Sequence, residues 1–179
     1  MAALRRHEQA RAAKEVGVED LVFLGHPDGR VVADLALRRD LSRVIRQVRP
    51  TLVIGQSPEM NLARIYASHP DHVATGQALL AAVYPDSRNP FAHVELAEEG
   101  LEPWAVEEVW LTGGTGPERA VDVTDQVERK LRALMAHESQ HPDPAATQER
   151  IRAWMLATAR AAGLAEGRSA EPFQVVDVR

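Results

Sequence analysis

Apolar residues recur along the chain in two rhythms. Leu37, Leu41, Val44, Ile45 and Val48 fall at i, i+4, i+7, i+8 and i+11, one stripe of a helix. Asp34 stands where an N-cap belongs, and Pro50 where the helix must end. Leu4, Ala10, Ala13 and Val16 keep a looser helical spacing over residues 2–16, and Gly17 suits the stop. Between the helical stretches lie short, unbroken apolar runs that predict strands: Leu21–Leu24 before Gly25, residues 51–55, Val109–Leu111 before Gly113-Gly114, and residues 173–178. Further helices are expected from Pro70 to about Val83 with Ser68 or His69 as cap, after Thr124 with Val127, Leu131, Leu134 and Met135 inward, and from Pro144 with Ile151, Trp154, Met155 and Ala162 inward. Residues 86–106 read as irregular.

Strands that are apolar throughout and alternate with helices imply a mostly parallel sheet covered on both faces. The predicted class is therefore α/β, in one domain over residues 1–179. In such sheets ligands bind beyond the carboxyl ends of the strands. Two His-Pro-Asp turns, at 26–28 and 69–71, each follow a predicted strand. A third copy at 141–143 breaks the spacing, so the tripeptide is not a repeat. It is the signature of J-domain co-chaperones, but such a domain is wholly helical and does not suit this pattern.

Composition narrows the chemistry. With 21 Lys+Arg against 26 Asp+Glu the chain carries a net charge of −5 and has no basic run, which disfavours nucleic acid as a partner. No apolar stretch approaches the ~20 residues of a membrane helix, and the charged start has no signal-peptide core. Cysteine is absent, which excludes disulfides, thiolate nucleophiles and thiolate metal sites and suggests the cytoplasm. Any metal must sit on His, Asp or Glu.

Four clusters carry candidate chemistry. In His69-Pro70-Asp71-His72 two imidazoles flank a carboxylate at a helix start. Neutral imidazole suits zinc, and Asp71 is placed to orient a ring by accepting its second N–H. The plainer reading is a helix cap with exposed histidines, and a tetrapeptide alone cannot close a zinc sphere. Gly25-His26-Pro27-Asp28-Gly29 offers a carboxylate for sugar hydroxyls, but Pro, Asp and Gly favour a tight turn for local reasons. Arg5 and Glu8 lie three apart on the first helix, which reads first as a solvated ion pair. His137-Glu138-Ser139-Gln140-His141 does not follow the zinc-protease order and reads as a helix end. Gly113-Gly114-Thr115-Gly116 fits no phosphate-loop pattern and reads as a loop.

Taken in order, these pieces resemble the PIG-L / LmbE-like de-N-acetylase family. The resemblance rests on Arg5-x-x-Glu8, Phe23 to Gly29, Arg49 to Val53, Ser68 to His72, Asp122 to Lys130 with Ala136 to Gln140, and Ala170 to Phe173. It implies a Rossmann-like three-layer sandwich and a zinc-dependent hydrolase of linear amides, acting on an N-acetylated amino sugar in the bacterial cytoplasm. It further implies His72 as a metal ligand, His69 as oxyanion stabiliser or leaving-group acid, and Asp71 holding His69. Arg5, Glu8 and Asp28 would contact the substrate. The family's opening Ala-His-Pro-Asp-Asp-Glu motif, which supplies two metal ligands and the general base, stands nowhere in this sequence, and Gly29 replaces the second Asp in the only lookalike. The expectation is a partial domain with its first strand or strands missing and an incomplete zinc site. That would expose sheet edges and leave the chain marginally stable or self-associating. The alternative is a non-catalytic binding protein that kept the same fold. The resemblance assigns no role to His137, Ser139 or Gln140.

Overall fold

The computed structural model describes residues 1–62, 65 and 68–179. In chain order its helices and strands are α1 (Ala2–Val16), α2 (Leu35–Val48), β1 (Leu52–Gln56), α3 (Pro70–Val83), α4 (Val94–Glu98), β2 (Glu108–Thr112), β3 (Arg119–Asp122), α5 (Val127–Met135), α6 (Pro144–Ala161) and β4 (Ala170–Asp177). The strands form an open sheet in the order β1-β2-β4-β3. By contacts the chain groups into two compact units, Met1–Phe23 with Ala120–Pro172, and Leu24–Arg119 with Phe173–Arg179.

The second unit holds the parallel pair that sequence pattern leads one to expect. Leu52 to Gln56 of β1 face Glu108 to Thr112 of β2 in register. The return from Gln174 to Asp177 then pairs antiparallel with Leu111 to Glu108, so the sheet is mixed rather than mostly parallel. The Asp34 carboxylate accepts the Leu37 N–H at 2.9 Å and starts α2, whose stripe reaches the core through Ile45. There it meets Leu79, Ala82 and Val83 of α3 and Val109 and Leu111 of β2. Burying such side chains contributes about 1.5–3 kcal/mol each.

The predicted irregular stretch is ordered from behind by one buried cation. Arg46, 3% exposed, donates to the carbonyls of Asp86, Ser87, Asn89, Ala92 and Leu101 at 3.0–3.3 Å. One guanidinium thus satisfies carbonyls that no strand ladder reaches. Beside it, Asp86 takes two bonds from Arg38, at 2.7 and 2.9 Å, and one contact from the His93 ring at 3.2 Å. Burial pushes the Asp86 carboxyl up, but the Arg38 and His93 contacts outweigh it and hold the group below its ordinary value.

In the first unit, α1 packs along α5, and Val127, Leu131 and Met155 form a small core with Val123 and Ile151. The strand expected at Leu21–Leu24 does not form. These residues join no ladder, and Val22 and Phe23 stay 59% and 46% exposed. An apolar run becomes a strand only where a neighbour satisfies its backbone N–H and C=O groups. Thr124 opens a single 3-10 turn rather than capping α5 directly, and β3 had no clear signal in the apolar pattern.

Candidate active site

Helix α3 begins as its sequence dictates. Pro70 occupies the first turn, where its missing N–H costs nothing. The Nδ1 of His69 caps the helix by accepting the Asp71 backbone N–H at 3.2 Å. An accepting Nδ1 assigns the ring proton to Nε2, so His69 presents an outward N–H donor. Its ring centroid lies 5.6 Å from that of His72, and both side chains are exposed. Ser68, 8% exposed, accepts the Asn61 N–H at 2.8 Å and steadies the approach to the cap.

Two glycines tell where this helix start sits. A Cβ on Gly76 would lie 2.5 Å from the Gln56 carbonyl oxygen, and one on Gly55 would meet the Leu79 side chain. Moving from 76 to 79 along α3 therefore moves back from 56 to 55 along β1, so helix and strand run antiparallel. His72 lies one turn before Gly76, about 6 Å further along the helix axis. That places it past the carboxyl end of β1. The ring is solvent-exposed, and it stands at the mouth of the parallel pair where α/β sheets bind ligands.

Asp71 meets the His69 ring through its backbone N–H and not through its carboxylate. Its carboxylate, 8% exposed, turns to the 26–31 segment instead, accepting the Gly29 N–H at 2.6 Å and the Val31 N–H at 3.3 Å. The turn closes through Arg30 N–H to the Pro27 carbonyl at 3.2 Å, with Gly29 at φ 78°, a conformation glycine adopts without strain. His26 anchors the other side of the turn through Nε2 to the Asp40 carboxylate at 3.1 Å, so this His-Pro-Asp copy is committed to α2. Between the two anchors Asp28 projects, exposed. The structure thus brings Asp28 beside the His69–His72 helix start. The tight turn that Pro27, Asp28 and Gly29 predict is present, and nothing in the sequence signalled that Asp71 would take its Gly29 amide.

Arg5 and Glu8 belong to the first unit. Glu8, expected on the substrate, is 1% exposed, and both its oxygens are engaged: Oε1 by the Ser139 N–H at 2.7 Å and Oε2 by the Ser139 hydroxyl at 2.8 Å. The Ser139 backbone bond is the main cause holding the Glu8 carboxyl below its ordinary value, against burial and with help from the Ser139 hydroxyl and the charges of His137 and Arg5. The local ion pair suggested by the i, i+3 spacing does not form. Arg11 adds bonds to the Ala136 carbonyl at 2.7 Å and the Glu138 carboxylate at 2.8 Å, so α1 clamps the 136–139 turn at two points. An apolar cavity of about 640 Å³ in this unit, lined among others by Ala13, Val16, Leu134, His137 and Trp154, contains none of His69, Asp71, His72 or Asp28.

A catalytic zinc takes about three protein donors and keeps one open position. Among the described residues no group of three or more His, Cys, Asp or Glu comes together to hold an ion. His69 already spends Nδ1 on its cap, which leaves His72 as the candidate ligand. The donors present do not make up a complete centre. No helix among the described residues is long and apolar enough to cross a membrane.

Residues 1–83 match the family described as PIG-L, GlcNAc-PI de-N-acetylase. A diacetylchitobiose deacetylase of Thermococcus kodakarensis is 33% identical over 142 residues, covering 79% of this chain and 51% of that protein. A probable N-acetyl-alpha-D-glucosaminyl L-malate deacetylase 2 of Bacillus anthracis is 32% identical over 148 residues, covering 77% and 56%. The solved N,N'-diacetylchitobiose deacetylase from Pyrococcus horikoshii, complexed with its inhibitor MPG, superposes with a TM-score of 0.86 at 28% identity, covering 98% of this chain and 64% of that one. The chain spans about half the length of the two curated relatives it matches.

Proposed function

The chain belongs to the PIG-L / LmbE-like family, and from that premise we propose that it works in hydrolytic removal of an acyl group from an N-acylated amino sugar. The observation that carries the reading is the His69–His72 helix start at the carboxyl end of β1, with Asp71 pinning the Asp28 turn beside it. Relatives named as deacetylases of N-acetylated sugars support the substrate class.

In this reading each residue has a limited task. His69 donates from Nε2 to the acyl oxygen, where negative charge develops as water adds. Its Nδ1 bond to the helix cap fixes the ring's direction. Asp71 keeps the 26–31 turn in place, and Asp28 accepts sugar hydroxyl protons. Within the first unit, taken by itself, Arg5 is a proposed saccharide contact and Glu8 is scaffold. His72 is the proposed ligand of a divalent ion such as zinc. Since the donors present do not complete a centre, no step is assigned to a metal here.

The incomplete donor set favours a second reading, a protein that binds the saccharide without hydrolysing it. One experiment separates the two. The chain is incubated with N,N'-diacetylchitobiose with and without added zinc, and free amine and saccharide binding are both measured. Amine release that requires zinc and disappears in His69→Ala and His72→Ala supports the hydrolase. Binding without amine release moves the assignment to the second reading, and neither signal refutes both.

A further inference from the structure

The 137–140 turn has no part in the chemistry described so far, yet it receives the most buried carboxylate of the chain. Glu8 and Arg5 sit three residues apart on α1, a spacing at which opposite charges ordinarily pair. Here the carboxylate is turned away. Its two oxygens are taken by two donors of one residue, the Ser139 amide and hydroxyl. Among the described residues the Arg5 guanidinium enters no hydrogen bond or ion pair, and the side chain is exposed.

We propose that Ser139 is a positioning residue for Arg5: by occupying both oxygens of Glu8 it keeps the neighbouring guanidinium unpaired and open to an acyl amino-sugar ligand. The proposal rests on the reading of Arg5 as a substrate contact. A serine suits the task because its backbone and side chain supply two donors at a fixed separation, matching the two carboxylate oxygens. Alanine would keep the amide bond and release one oxygen. Arg5 is one helical turn from Glu8, and its charge already acts on the Glu8 carboxyl. Guanidinium bound to Glu8 is guanidinium withheld from a ligand, and apparent affinity falls by the fraction withheld.

The test uses the full chain in three forms: unaltered, Ser139→Ala, and Ser139→Ala with Glu8→Gln. The Arg5 Nε–H resonance and its water exchange are followed by NMR, and N,N'-diacetylchitobiose is titrated into each form. The expected result is a free arginine signal in the unaltered chain. In Ser139→Ala the signal shifts with slowed exchange, and affinity weakens by about two- to threefold, the size of one helical ion pair. Adding Glu8→Gln removes the competing charge and restores both. An Arg5 signal unmoved by Ser139→Ala overturns the proposal, even if the melting midpoint falls, since Ser139 would then be a structural bolt only. If no form binds the saccharide while the Arg5 signal responds as expected, the coupling stands and the saccharide reading is refuted.

Discussion

Replacing Gly76 by Ala sets two physical effects against each other. In the middle of α3, alanine favours the helix over glycine by about 1 kcal/mol. The new methyl would lie 2.5 Å from the Gln56 carbonyl oxygen, 2.8 Å from the Pro58 nitrogen and 2.9 Å from the Ser57 carbonyl carbon. All three are backbone atoms at or just past the end of β1, and none can rotate aside. Forcing extra methylenes into packed sites costs about 1–3 kcal/mol, and three rigid contacts place this one at the upper end. The net expectation is a loss of about 2 kcal/mol, which lowers the melting midpoint by about 4–8 °C for a chain of this size. Circular dichroism melts measure it directly. Gly55→Ala is the control, because its methyl meets only the Leu79 side-chain end, which can turn, so the loss should be smaller. A midpoint for Gly76→Ala equal to or above that of the unaltered chain would show that α3 does not press on β1, and would remove the argument placing His72 at the strand mouth.

Four further outcomes follow from the same contacts. Asp71→Asn should weaken the hold on Gly29 and Val31, raising exchange of those two amides about tenfold for a loss of about 1–3 kcal/mol, with unchanged protection counting against the clamp. Leu131→Ala, at a site 2% exposed in the small core of the first unit, should cost about 2–5 kcal/mol in urea unfolding, and a loss below about 1 kcal/mol would deny that core. Asp86 has its carboxyl depressed, so it contributes stability that is fully present above its unfolded value near 3.9 and is lost as pH falls toward the folded one. Acid titration of Asp86→Asn should therefore show a shallower loss of stability in that window than the unaltered chain. Finally, β1 is an edge strand with Ile54 57% exposed, so Ile54→Lys should lower light scattering at high concentration, while equal scattering would place the sticky surface elsewhere.

Local signals in the sequence carried most of the elements. Asp34 and Pro50 bracket α2, Pro70 opens α3 and Pro144 opens α6, because a cap or a proline acts on its own turn and needs no distant partner. The failures have a common cause. Leu21–Leu24 has a strand's composition, but a strand is made by its neighbour, and composition cannot supply one. The same point holds at the level of side chains. Spacing pairs Asp71 with His69 and Glu8 with Arg5, since those partners are near in sequence. In the fold, Asp71 instead takes amides 42 and 40 residues away, and Glu8 takes a serine 131 residues away.

The direction of that preference is physical. An exposed imidazole or guanidinium finds water whenever a carboxylate leaves it, so it loses little. The amide of a turn has no ladder partner, and a buried carboxylate has no water, so each is costly unless it finds the other. Asp71 and Glu8 therefore go to orphaned backbone donors, and the His69 ring and the Arg5 guanidinium are left facing outward with donors free. In the function proposed above, His69 and Arg5 are the groups that use the donors so freed. The long-range bonds that sequence spacing could not reveal are what leave the His69 Nε2–H and the Arg5 guanidinium without a carboxylate partner among the described residues.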